Sequence, residues 1–331
     1  RTIQVLSRIC AILGAAGVQL PRFGNERVRM LQECVDIRAK HEKAVDAARE
    51  LGIPVNTLKS RLDFAAADGI SAKNQKREKT GSIPRGRAEK ILPVVIGTGK
   101  VLVISDVHVP YHDADALEAA IEYGLEAGCD TCYINGDFQD CTAISRHEKT
   151  PIERDSLGYE MEQGREILSY ISSRFSKVYY KEGNHEARLP LYIARNSPEL
   201  YTAPGMDMQN FLRLDMHGVQ WIGQEVPVRM GRLNVFHGHE YKGGGSVNIS
   251  RGKLLQAMDN IIVGHHHRTQ NAVHRRADDK VIGSWATGCL CGLNPGWLLK
   301  NQWNHGFAVV DIHENGNFRV DNKQLINGEI F

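Results

Sequence analysis

Five short polar words, each placed at the end of an apolar run, constrain this chain more than any other feature. They are Asp106-Val107-His108, Gly136-Asp137-Phe138-Gln139-Asp140, Gly183-Asn184-His185-Glu186, His237-Gly238-His239 and Gly264-His265-His266-His267. The runs before them, Lys100–Ser105, Thr131–Ile134, Lys177–Lys181, Leu233–Phe236 and Asn260–Val263, read as buried strands because they are short, apolar and rich in β-branched residues. Loops that follow the carboxyl ends of parallel strands can converge on one point. Here they would bring together Asp106, His108, Asp137, Asn184, His237, His265 and His267. A bridging carboxylate with neutral imidazoles and a carbonyl oxygen is the donor set of a two-cation site. Two cations about 3.5–4 Å apart can clamp the oxygens of a phosphate ester and deprotonate a water between them.

The remaining pattern predicts what surrounds that point. Helical stretches over about Ala114–Ala127, Ser156–Ser173 and Val247–Ala257 alternate with the strands. Gly218–Ile222 reads as one more strand. The tail carries hairpin-like strands at Asn271–Arg275, Val281–Ala286, Phe307–Ile312 and Asn317–Val320, with Asn315-Gly316 as the last turn. Such a series predicts an α/β fold with two packed sheets and helices outside, a four-layer α/β/β/α sandwich.

The set DxH, GDxxD, GNHE, HG and GHxH, in this order, resembles the calcineurin-like metallophosphoesterase superfamily over roughly residues 99–312. Any one of these words is common by chance; five in order at strand ends are specific. The resemblance implies that Asp106, His108, Asp137 and His267 hold a first metal. Asp137 would bridge to a second, completed by Asn184, His237 and His265. His185 would protonate the leaving oxygen, Asp140 would orient His185, and a bridging hydroxide would attack phosphorus. Two divalent ions are implied, with Mn²⁺ first and Fe or Zn as alternatives. His239 and His266 stand where the family has no ligand, and Glu186 is expected to support its loop.

The substrate is less constrained. The arginine that protein phosphatases of this family place directly after GDxxD is absent, since Asp140 is followed by Cys141. Their other phosphate-binding arginine is matched by Arg188. Arg146 and His112 are further candidates for substrate contact, with His112 alternatively capping the helix near Ala114. Trp285, Trp297 and Trp303 could stack bases, wall the cleft or pack in the core. The words around Gly183–Leu189 and Gly288–Cys291 resemble phosphoesterases encoded by phages and prophages. The core also resembles that of SbcD-type repair nucleases, without their capping domain. A phosphodiesterase or nuclease acting on DNA is therefore the first expectation, and a phosphomonoesterase acting on phosphoprotein or nucleotide the second.

Charge adds to the DNA expectation. The 331 residues carry a formal charge of only +2, but residues 1–90 hold 18 Lys and Arg against 10 Asp and Glu. A basic end beside an acidic catalytic part suggests a polyanionic partner. Residues 1–70 read as a small helical domain. Within it, Ala47 to Leu62 resembles a helix-turn-helix: Ala47, Ala48 and Leu51 face inward, Gly52 turns, Ile53 and Val55 pack, and Leu58 and Leu62 bury a second helix. That helix would offer Asn56, Thr57, Lys59, Ser60 and Arg61 to a groove. A plain helical hairpin fits the same pattern. Residues 71–98 read as a basic linker, and 99–331 as the catalytic domain.

Seven cysteines in a chain of this composition suggest a reduced, cytoplasmic protein of a bacterial or phage-infected cell. Cys129 and Cys132 are expected to pack at a strand start. No stretch approaches the ~20 apolar residues that span a bilayer, so no membrane partner is expected.

Overall fold

A computed structural model of the chain describes residues 23–72, 86, 90–147, 156–242, 247–296, 298 and 300–331. Most of the expected linker, and Trp297, lie outside the described residues. Contacts divide the chain into two compact units, Arg1–Ala88 and Glu89–Phe331.

The first unit has three described helices, α1 (Phe23–Lys40), α2 (Ala44–Glu50) and α3 (Val55–Ala67). Cys34, Ala47, Ala48 and Leu58 are buried at its centre, packed by Ile37, Leu51, Ile53, Val55 and Leu62. α2 ends because Gly52 adopts a left-handed φ of +63°. The Gly52 and Ile53 amides turn back to the carbonyls of Arg49 (3.1 Å) and Ala48 (3.0 Å), which satisfies the open end of the helix. Pro54 then starts α3, accepting at its carbonyl from the Leu58 amide at 3.0 Å. The excess positive charge of the first 90 residues is not in this bundle: residues 23–72 carry eight basic and eight acidic side chains.

The second unit holds thirteen described strands: β1 (Val94–Ile96), β2 (Gly99–Ile104), β3 (Thr131–Asn135), β4 (Lys177–Lys181), β5 (Val219–Ile222), β6 (Val228–Met230), β7 (Leu233–Phe236), β8 (Ile261–Val263), β9 (Gln270–Arg275), β10 (Val281–Ala286), β11 (His305–Ile312), β12 (Phe318–Ile326) and β13 (Glu329–Ile330). Its helices are α4 (Ala114–Glu126), α5 (Leu157–Ser172), α6 (Arg188–Asn196), the single turn α7 (Met208–Phe211) and α8 (Ile249–Ala257). Seven strands form one sheet in the order β13-β12-β11-β2-β3-β4-β5, and six form the other in the order β1-β6-β7-β8-β10-β9. β2, β3, β4 and β5 run parallel, as do β7, β8 and β10.

Alternation along β2 explains the layering. Val101 and Val103 point into an inter-sheet core with Met230, Leu233, Val235 and Ile262. Leu102 and Ile104 point the other way, onto Leu117 and Ile121 of α4 and a cluster shared with Leu168 and Ile171 of α5. On the far face of the six-stranded sheet, Ile249 of α8 packs with Ile261, Val263 and Ala286. Helix, sheet, sheet and helix therefore stack as four layers.

The structure differs from the sequence reading in places. β1 falls inside the expected linker and pairs in parallel with β6. β12 runs nine residues rather than four, because its polar middle, Asp321 to Gln324, is held by antiparallel pairing to β11. Asp113, not His112, caps α4, accepting from the Ala116 amide at 3.0 Å. Trp285 packs against the inter-sheet core with its ring on Phe318, so it is a core residue and not a base platform.

Candidate metal centre

Each of the five words sits directly after β2, β3, β4, β7 or β8, and their side chains meet. Three groups of ligand atoms lie close enough to share an ion: His108, Asp137 and His185; Asp137, His237 and His265; and His108, His267 and Cys291. The loops approach this closely because glycines stand where any side chain would collide. A Cβ on Gly183 would strike the Asp137 amide and carboxylate, and one on Gly264 would strike Ser105 Oγ and come within 2.7 Å of Asp106 Oδ2.

The backbone itself is strained at the words. Asp106, His108, Asp137, His265 and His267 all have φ between +50° and +66°. A left-handed conformation costs a non-glycine residue about 1–3 kcal/mol. Five in one place persist only because the surrounding loops are tied down, and strain of this kind concentrates at functional sites.

The two aspartates are held in the same way. Asp106 Oδ2 accepts from Ser105 Oγ (2.5 Å) and the His265 amide (2.8 Å). Its Oδ1 has no hydrogen-bond partner although it is buried, and lies 3.2 Å from His267 Nε2 and 3.9 Å from the Nε2 atoms of His108 and His237. Asp137 Oδ1 accepts from the His185 amide at 2.9 Å, while Oδ2 faces His237 Nε2 at 3.1 Å and His185 Nε2 at 3.8 Å. One oxygen of each carboxylate is thus fixed by the backbone, and the other is aimed inward.

The imidazoles are presented likewise. His237 Nδ1 donates to the Asn135 carbonyl at 2.6 Å, which leaves Nε2 as a lone pair pointing inward. His108 Nδ1 bonds Asp140 Oδ1 at 2.8 Å, and His267 Nδ1 lies 3.8 Å from Cys291 Sγ. The Nε2 atoms of His108 and His267 then face each other at 3.2 Å. Two lone pairs at that separation repel unless a proton or a cation lies between them. Asn184 Oδ1 is also buried without a partner. Orphaned acceptors on Asp106, Asn184 and His237 with paired imidazole nitrogens are what a site for divalent cations requires, so the residues fit two such ions.

Electrostatics agree. Burial opposes ionisation of Asp106 and Asp137, but the neighbouring imidazoles outweigh it and hold both carboxyls well below the usual range. Burial favours neutral imidazoles at His237 and His267, yet Asp137 and Asp106 hold both at about 10. The carboxylates therefore demand positive charge, and a cation can take the place of the protons. His265 is pushed down to about 3, by burial first and then by His237.

His185 lies at the more open side of the centre. Its Nδ1 donates to the Asp140 carbonyl at 2.9 Å and is 3.1 Å from Asp140 Oδ1. Burial alone would lower its pKa, but Asp137 and Asp140 raise it above the ordinary value. Asp140 thus serves two histidines, His108 as well as His185. Arg188 donates to the Asp140 carbonyl at 2.7 Å, and its other terminal nitrogen is 3.0 Å from His185 Nε2. Arg146 is exposed, and no hydrogen bond or ion pair among the described residues ties it to the centre. His112 is half-buried near Cys291, where its backbone forms a bridge. His239 contacts the Gln224 side chain, and His266 meets His265 edge to face with ring centroids 5.0 Å apart. Trp303 packs its ring on His267 at 4.2 Å and walls the site.

Several supporting residues carry no ligand signal in the sequence. Glu186 is fully buried, and its carboxylate accepts from the amides of Asp137 (3.1 Å), Gln139 (2.9 Å) and Gly183 (2.9 Å) and from Tyr180 Oη (2.7 Å). It locks two ligand loops together. Glu240 accepts from the amides of His237 (3.2 Å) and Gly238 (2.6 Å), and buried Lys253 donates to the carbonyls of Gly238 (3.1 Å) and Tyr241 (2.8 Å). Their signal was a charged residue inside or after a buried run, where a charge must have partners.

No helix among the described residues is long and apolar enough to cross a membrane. The chain is 27% identical over 229 residues to the Gene 54 protein of Mycobacterium phage L5, covering 64% of this chain and 89% of that one. It is 25% identical over 234 residues to the Gene 54 protein of phage D29, covering 65% and 90%. Among solved structures it is similar to Vps29 from Entamoeba histolytica, with TM-score 0.40, 16% identity and coverage of 70% and 96%. It is also similar to YfcE, a phosphoesterase from E. coli, with TM-score 0.33, 16% identity and coverage of 67% and 98%. Residues 99–286 match the family described as calcineurin-like phosphoesterase. The chain belongs to that family, whose members generally bind two divalent ions, and is a metal-dependent phosphoester hydrolase with His and Asp residues grouped closely enough to hold metal.

Proposed function

We propose that the protein is a phosphodiesterase that cleaves DNA, with Asp106, His108, Asp137 and His267 around one ion and Asp137, Asn184, His237 and His265 around the other. Two divalent cations, when bound there, supply a hydroxide nucleophile at neutral pH and screen the phosphate charge. We assign Mn²⁺ to the site on the strength of its carboxylate and carbonyl donors, with Fe and Zn as the alternatives that the imidazoles also suit. His185 donates the proton to the leaving oxygen. Asp140 favours the charged ring by standing 3.1 Å from Nδ1, against the Arg188 guanidinium 3.0 Å from Nε2, which opposes that charge.

The observation that carries the diester reading is the supply of fixed positive charge. A phosphomonoester dianion needs more of it than a diester monoanion. The Arg188 guanidinium stands at the centre, but it is already engaged by His185 and the Asp140 carbonyl. The position after Asp140, where a second arginine would stand, is the buried Cys141. DNA as the substrate is supported by the phage relatives and by the exposed Asn56, Lys59 and Ser60 of α3. The proposed place of action is the cytoplasm of a bacterial host.

One substrate panel tests this: bis-(p-nitrophenyl) phosphate, p-nitrophenyl phosphate, and linear single- and double-stranded DNA, with Mn²⁺ added and bound metal measured in parallel. Turnover of the diester and of DNA is expected. Activity confined to the monoester would sink the reading in favour of a phosphomonoesterase.

A further inference from the structure

Helix α6 begins at the metal centre and carries apolar side chains on the wrong face. Arg188, at its first position, bonds His185 and Asp140. Leu189 and Ile193 are buried and attach the helix to the core. The face opposite should be polar in a monomeric protein, yet Leu191 is 53% and Tyr192 43% exposed. The turn that follows, Pro198–Leu200, adds Leu200 at 40% and Tyr201 at 56%. Arg195 is exposed in the last turn of α6.

The spacing of this stripe is regular. Arg188, Leu191, Tyr192 and Arg195 stand at i, i+3, i+4 and i+7, one face of a helix. At 1.5 Å per residue the stripe carries two guanidinium groups roughly 10 Å apart along the axis, with an aromatic ring between them. α6 has no acidic residue; the buried Glu186 lies two positions before it, and Glu199 stands in the following turn. A ligand that begins with a phosphate at the centre and continues along α6 next meets a flat ring, Tyr192, and then the exposed guanidinium of Arg195. A nucleic acid strand alternates phosphate and base in that way, whereas a phosphopeptide would bring one phosphate and then side chains of no fixed sign.

We propose that the outward face of α6 is a strand-tracking surface for single-stranded DNA, with Tyr192 stacking a base and Arg195 contacting a phosphate distal to the scissile bond. This rests on the phosphodiesterase reading above and adds its missing specificity element. A base must leave its duplex partner to lie on Tyr192, so single strands are preferred to duplex. Sequence preference is weak, because every base has a face that stacks.

The test compares kcat/KM on a 20-nucleotide oligo-dT with kcat/KM on bis-(p-nitrophenyl) phosphate, in the full chain with Mn²⁺. Tyr192→Ala lowers the ratio of DNA to small-diester activity about tenfold, the loss of one stacked base. Tyr192→Phe, which keeps the ring, holds the ratio within about twofold. Arg195→Ala flattens the dependence of log KM for DNA on log salt by about 0.7, one phosphate contact on a single strand. An unchanged ratio in Tyr192→Ala overturns the stacking role, and an unchanged salt slope in Arg195→Ala overturns the phosphate contact; both together leave the stripe to a protein partner. If the unsubstituted protein cleaves the small diester but neither cleaves nor binds oligo-dT, the DNA reading itself has failed and the surface falls with it.

Discussion

The metal centre and the three-helix unit were both marked in the sequence by residues suited to a ligand, but the structure treats the two sets differently. In the centre, several inward groups are backed by a second contact. Asp106 and Asp137 each have one oxygen fixed by a backbone amide, His237 is fixed through the Asn135 carbonyl, and Glu186 takes four donors to lock two loops. In the helical unit the candidates have no such backing. Asn56, Lys59 and Ser60 are simply exposed, and Arg61 is half-buried with a terminal nitrogen 3.9 Å from Cys34 Sγ. Residues 23–72 are also electrically neutral. A catalytic centre has to hold atoms to a few tenths of an ångström and shows it in its supporting contacts. A surface that meets a flexible polyanion needs only the right groups on the outside, so structure alone says less about it.

The largest expected effect comes from removing Asp137, the carboxylate proposed to serve both ions. Asp137→Ala should cut turnover of bis-(p-nitrophenyl) phosphate by roughly 10³-fold or more and lower the metal bound per chain, measured by elemental analysis after desalting. Full metal content in that variant would break the contrast, because the centre would then not depend on the carboxylate proposed to serve both ions. His185→Ala is next. A lost general acid costs about 10²–10⁴-fold, but only where the leaving oxygen needs a proton. The loss should be large on a DNA or alkyl diester and small on the p-nitrophenyl ester, whose leaving group departs as the anion. Equal losses on both would assign His185 to ground-state binding instead.

Glu186→Gln probes the supporting shell rather than the chemistry. The amide group of Gln would face backbone N–H groups that now reach a carboxylate, leaving buried donors unpaired. Loss of about 3 kcal/mol is expected, or a Tm lower by about 8 °C in a unit of this size, followed by calorimetry of the metal-loaded protein. An unchanged Tm would mean the loops are held by something other than Glu186.

The loop-supporting role of Glu186 was legible in its motif, but other features were not. The ligand words and most strands could be read because a buried run followed by a polar turn is a local signal. β1 and β6 could not, since three residues carry no period and their partners lie far apart in the chain. α6 was hidden by Pro190, which breaks a helical pattern on paper but sits in the first turn, where no amide is needed. The left-handed backbone at Asp106, His108, Asp137, His265 and His267 has no local signature either; it follows from how the loops are tied together. Most of the charge excess of the first 90 residues falls in the stretch read as a basic linker, most of which lies outside the described residues.

The smallest expected effects lie on α3, and they decide whether the helical unit has a function of the kind proposed. Lys59 is exposed, one turn before the exposed Asp63, so any phosphate it meets gains a single contact. Lys59→Ala should therefore reduce the salt slope of duplex DNA binding by about 0.9 and leave thermal stability unchanged. Arg61→Ala should do the reverse, because its guanidinium reaches Cys34 inside the bundle: a lower Tm for the helical unit and little change in slope. Anisotropy titrations at three salt concentrations and a thermal scan separate the two variants. If Lys59→Ala leaves the slope untouched while the wild-type protein still binds duplex DNA, the contacts lie on other groups. The three helices are then a packed hairpin, and the difference between the two units is one of function as well as of precision.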